Sequence, residues 1–210
     1  LGGFVSSTAT IAAMSVHSRT TPSLTHAAAA GAALSSLSTA LQLMLILYLT
    51  NPVLANQLLP ALSVVTLVAI IYGGWLARDA GQAQVSHELP GRAFEFKRSF
   101  GFALLVTVVM FISAWLADRY GALGASLGVA LAGFADVHAA AASAATLAAY
   151  GSVPTDQAIV GILLALSTNT ISKVIVAFVT GGRAFGLRVV AGLLLMMLAL
   201  WVTVTLTIFY

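Results

Sequence analysis

Charge is what this sequence has least of. Only nine Lys or Arg and six Asp or Glu occur among 210 residues, so 7% are charged, against about a quarter in an ordinary soluble domain. A water-soluble fold covers its surface with polar side chains, and this chain has too few. A soluble enzyme, a nucleic-acid binder and a disordered linker are excluded. The pI of 9.6 reflects a net excess of only +3, with no basic run of the kind nucleic acid requires. Cysteine is absent, which excludes disulfides, thiolate metal sites and a Cys nucleophile. No secretory signal opens the chain, and Leu1 begins inside an apolar, Gly-rich stretch, the pattern expected of a fragment. What is abundant is apolar: 60% of residues are hydrophobic and the mean hydropathy is +1.03. This composition predicts an all-α, multi-pass membrane protein whose first partner is the lipid bilayer.

A bilayer core about 30 Å thick takes roughly 20 apolar helical residues to cross. Residues 27–49, 53–77, 99–117, 158–180 and 189–210 meet that requirement, which predicts five crossings. Asn51-Pro52 separates the first two, and Gly181-Gly182-Arg183 with Arg188 separates the last two. Residues 78–98 form the one long polar stretch. Two segments are unusual. Residues 1–16 are too short to span unaided. Residues 121–150 are mostly Ala, Gly and Leu, interrupted by Gly133-Phe134-Ala135-Asp136-Val137-His138. They form either one long tilted helix or two short halves broken near Gly133. Gly124 and Gly128 make a small-xxx-small pair suited to close helix packing.

A shift of 130 residues lays Leu1-Gly2-Gly3-Phe4-Val5-Ser6 on Leu131-Ala132-Gly133-Phe134-Ala135-Asp136. The register then continues without a gap through Thr25 on Thr155, Gly31 on Gly161 and Thr50 on Thr180. The single membrane domain 1–210 is therefore expected to hold two copies of one unit, residues 1–77 and 121–210, joined by a loop and helix over 78–120. If 121–150 enters and leaves on one face, seven basic residues gather on one side and only Arg119 on the other, as the positive-inside tendency favours. The two units are then inverted, each with a short Gly-broken re-entrant segment and two spanning helices. Many secondary transporters share this arrangement, with a site where the breaks meet.

Four stretches resemble the C-terminal membrane domain, of unknown function, of MgtC/SapB-family proteins. These are Leu1-Gly2-Gly3-Phe4-Val5-Ser6-Ser7-Thr8-Ala9, Phe94-Glu95-Phe96-Lys97, Gly133-Phe134-Ala135-Asp136-Val137-His138-Ala139, and Asn169 with Lys173. The resemblance covers nearly the whole chain in order, and departs at His138, where the family more often has Asp. It implies a bacterial inner-membrane location, a possible homo-oligomer or association with an MgtC-like membrane domain, and a loose link to magnesium.

Asp136 is the residue most informative about chemistry. A charge near the bilayer centre costs about 2.5–3.5 kcal/mol on insertion scales and usually faces a cavity or partner. It is the candidate ion, proton or metal group, or else a helix cap. Asn169 and Lys173 share a helix face at i and i+4, with Asp136 expected to pair with Lys173. His138 is a candidate relay or ligand, and Ser6, Ser7 and Thr8 supply candidate hydroxyl ligands from the first unit. Ser35, Ser36, Ser38, Thr39 and Gln42 suggest a polar face turned into the bundle. His17, His26 and His87 are expected to be solvated loop residues. One buried acid opposed by a lysine makes a poor Mg2+ site, and no catalytic set, dinucleotide fingerprint or phosphate loop occurs, so neither an enzyme nor a cofactor is expected. The expectation is a transporter or permease for a cation, proton or small polar solute, with ion- or substrate-binding residues Asp136, His138, Asn169, Lys173, Ser6, Ser7 and Thr8. The rival is a non-transporting regulatory or scaffold domain of an MgtC/SapB-type protein, in which Asp136 and Lys173 only lock helices.

Overall fold

A computed structural model describes residues 6–80, 111, 115, 116, 118–121, 124 and 126–208. The expected helix 99–117, the polar stretch 78–98 with His87, and the opening Leu1-Gly2-Gly3-Phe4-Val5 lie wholly or largely outside these residues. Among the described residues every regular element is helical: α1 Ser7–Thr20, a 3-10 turn Pro22–Leu24, α2 Thr25–Thr50, α3 Pro52–Asp79, α4 Ser126–Ala135, α5 Val137–Ala149 and α6 Thr155–Ile208. Among the described residues three helical stretches are long and apolar enough to cross a membrane: Pro22–Thr50, Pro52–Asp79 and Thr155–Ile208. This is an all-helical membrane protein.

The helix boundaries follow from local chemistry. Between α2 and α3 lies a single residue, Asn51, whose Oδ1 accepts from Leu54 N at 3.1 Å. Pro52, which has no N–H to leave unsatisfied, begins the next helix. As a straight rod the 54 residues of α6 would run about 80 Å, well over twice a bilayer core. Gly182 breaks the rod, at φ 75° and ψ −178°, a conformation essentially confined to glycine. The expected spans 158–180 and 189–210 fall on the two sides of this kink.

The expected break at Gly133 lies three residues later, at Asp136. Gly133 is inside α4, and a Cβ there would run into the Ala165 carbonyl and the Thr168 hydroxyl of α6. Its glycine serves close helix approach, which Thr168 Oγ1 secures by donating to Ala130 O at 2.6 Å. Asp136 stands between α4 and α5 in extended conformation, φ −156° and ψ 114°. The segment is therefore two short helices, not one long one.

Two compact units make up the described chain. One comprises residues 6–48, 55–80 and 170–208; the other comprises 49–54 and the described residues from 111 to 169. They cut across the division into 1–77 and 121–210. The core of the first unit joins Ile11 of α1, four alanines of α2 between Ala28 and Ala32, Leu76 of α3, and Ala177, Phe185, Val189 and Leu193 of α6. Alanines at the contacts bring these helices close, as in other membrane bundles.

Candidate functional site

Asp136 caps α5. Its Oδ1 accepts from the His138 backbone N–H at 2.9 Å and lies 2.9 Å from His138 Nδ1. Two residues apart on a continuous helix these side chains would diverge. The extended backbone at Asp136 brings them together. His138 Nε2 is buried without a partner among the described residues. Asp136 and His138 thus form a compact acid–imidazole pair at an interruption in an apolar segment. Among the described residues no three His, Cys, Asp or Glu side chains gather to hold a metal ion, and within its unit Asp136 has His138 beside it from that set. Asn169 is buried in the same unit.

In the first unit Ser6 caps α1. It is extended at φ −165° and ψ 116°, and its hydroxyl accepts from Ala9 N at 3.2 Å. Ser7, the first residue of α1, is buried, whereas Thr8 is half-exposed. Thr39 Oγ1 donates to Ser7 Oγ at 3.1 Å, Lys173 Nζ donates to Thr39 Oγ1 at 3.3 Å, and Ser35 Oγ reaches Ser7 O at 3.5 Å. Three expected or suspected polar groups from α1, α2 and α6 are thereby joined into one buried chain. Ser35, Ser36, Ser38 and Thr39 are all buried, so the polar face expected on α2 is an interior one; Gln42 is half-buried. Lys173 has Thr39 for its partner and Asp136 has His138, each within its own unit.

Other polar contacts carried no signal in the sequence. Ser15 Oγ and Thr180 Oγ1 are 2.6 Å apart, and Arg19 Nη2 donates to Val179 O at 3.3 Å, three residues before the Gly182 kink. The histidines near the N-terminus are not loop residues. His17 lies in α1, and His26, at the start of α2, sits with Nδ1 2.6 Å from Asp79 Oδ2 at the end of α3. His26 pairs with Asp79 because helices α2 and α3 run back on each other across Asn51, bringing the ends of the pair together.

A family described as a domain of unknown function, DUF4010, matches residues 1–181. The chain belongs to that family. The match to DUF4010 takes in both capped helix starts and the α6 segment bearing Asn169 and Lys173, and it ends one residue before the Gly182 kink. No curated protein and no solved structure matches the chain.

Proposed function

We propose that this DUF4010 protein is a permease-like membrane domain that passes an ion or small polar solute, with Asp136 as the group that binds or relays it. One observation carries this reading: an ionisable side chain stands where two apolar helices are interrupted, with an imidazole on its carboxylate. Intramembrane carboxylates are costly and serve pathways more often than packing, and broken helices at such positions line the sites of many transporters. An internal repeat adds support. The caps Ser6 and Asp136, and the helix starts Thr25 and Thr155, are both offset by 130 residues, and Asn51 and Gly182 interrupt the helices that follow at nearly the same offset. On this reading the two repeats, residues 1–77 and 121–210, are inverted, their short helices re-entrant, and the protein sits in a bacterial inner membrane beside or within MgtC/SapB-type assemblies. Proton, monovalent cation and small polar solute fit a single carboxylate at least as well as Mg2+, which keeps several waters and is usually bound through one or two carboxylates together with phosphate oxygens.

A second reading, a scaffold without flux, is favoured by the cap itself, since Asp136 already has a structural task at the start of α5. Flux assays in proteoliposomes separate the two. The native protein is expected to move a proton, a monovalent cation or a small solute, and Asp136→Asn to abolish that movement while inserting and folding normally. Absence of flux from the native protein across a broad panel of ions and solutes rejects the permease reading.

A further inference from the structure

Lys173 is only 3% exposed, yet nothing negatively charged meets it among the described residues of its own unit. Its ammonium has three hydrogens to donate, and within the described residues of its unit it meets the neutral Thr39 hydroxyl at 3.3 Å. The composition of its unit deepens the imbalance. Residues 6–48, 55–80 and 170–208 hold five basic side chains, Arg19, Arg78, Lys173, Arg183 and Arg188, and a single acidic one. That acid, Asp79, is taken by His26. A buried charge is tolerable when it is paired and hydrogen-bonded, and expensive otherwise.

The groups around Lys173 are of the kind that bind anions. Thr39 connects the ammonium to Ser7 Oγ at the first residue of α1. The positive end of a 14-residue helix is therefore linked to the ammonium through two hydroxyls. An independent feature adjoins them. Ser36, one turn before Thr39 on α2, is 6% exposed, and its hydroxyl has no partner among the described residues. Residues three apart on a helix are neighbours, so this unused donor borders the same polar centre. A cation would meet an ammonium and a helix N-terminus here. A small anion would take up the spare ammonium hydrogens and the idle hydroxyl together.

We propose that Lys173, Thr39, Ser7 and Ser36 form a binding site for a small monovalent anion, either a halide or the carboxylate of a small organic solute. The inference rests on the permease reading only for its use in transport; the site itself is a matter of binding. The full chain, purified in neutral detergent, is titrated with sodium chloride, bromide, formate and acetate at constant ionic strength, following thermal stability and intrinsic Trp fluorescence. A saturable response is expected, weakened at least about tenfold by Lys173→Met, the scale of losing one charge-assisted contact, and several-fold by Ser36→Ala. Saturation by halides alone assigns a free inorganic anion, and saturation by formate or acetate assigns a solute carboxylate. No saturable response in the native protein, or an unchanged response in Lys173→Met, overturns the site. Should Lys173→Met fail to fold, Thr39→Val and Ser36→Ala take its place, and unchanged affinity in both overturns it equally. Anion binding in micelles without flux in proteoliposomes rejects the permease and leaves the site standing. Flux without anion binding does the reverse.

Discussion

Two helices of this protein begin in the same way with different chemistry. Ser6 and Asp136 have nearly the same backbone, φ −165° and ψ 116° against φ −156° and ψ 114°, and each offers a side-chain oxygen to the first turn of a short helix, of 14 and 13 residues. Serine and aspartate are about equally good at this position. The serine shows that a neutral hydroxyl is enough for the geometry. A carboxylate in an apolar segment therefore has a cost that capping alone does not call for. The difference between the two helix starts is what separates a structural role for Asp136 from a transport role.

The largest expected effect comes from making the two starts alike. Asp136→Ser keeps a cap and removes the charge, so melting in detergent should change little while flux in proteoliposomes disappears. Asp136→Leu removes the cap as well and deprives His138 of its partner. It should cost about 2–3 kcal/mol, adding a lost cap to a stranded polar group, and be visible as a lower melting temperature. If the serine variant is as unstable as the leucine variant, the charge itself holds the fold, and the scaffold reading gains.

The next effect concerns what lies before the second helix start. Gly133 lies against Ala165 and Thr168 of α6, so Gly133→Val should cost about 1–3 kcal/mol through overpacking and disturb the approach to Asp136. Gly133→Ala, with less to accommodate, should cost less. Equal stability of the native protein and the valine variant would show that α4 does not pack as described. This glycine also shows where the sequence was readable and where it was not. A break within 121–150 was legible, because Gly and Asp interrupt an Ala-rich run. Its position was not, because one sequence does not distinguish a glycine that lets helices touch from one that ends a helix. Asn51-Pro52 and Gly181-Gly182 were legible because polar residues, Asn51 and Arg183, stand beside the proline and the glycine pair, whereas Pro60 and Gly73-Gly74 lie inside α3 without breaking it. The interior face of α2 could be read from the density of Ser35, Ser36, Ser38 and Thr39. Thr39 as the partner of Lys173 could not, since one hydroxyl among many, 134 residues away, has no pattern to mark it. His26 likewise looked like a loop residue until the α2–α3 pair set it beside Asp79.

The smallest effect tests the first helix start. Ser6→Ala removes the hydroxyl that accepts from Ala9 N and should cost about 1 kcal/mol, the usual value of a cap. Because Ser6 is exposed, the loss should be confined to the first turn of α1 and read best as faster amide exchange at Ala9 and its neighbours. Ser6→Asp restores a cap and places a carboxylate one residue from Ser7, the end of the hydroxyl chain that leads to Lys173. Its stability should return to the native value, while anion titration should weaken, because the new carboxylate repels what the ammonium attracts. Recovery of stability without any change in anion affinity would mean that the α1 terminus and the Lys173 centre act independently, so that only the hydroxyls and the ammonium define the site.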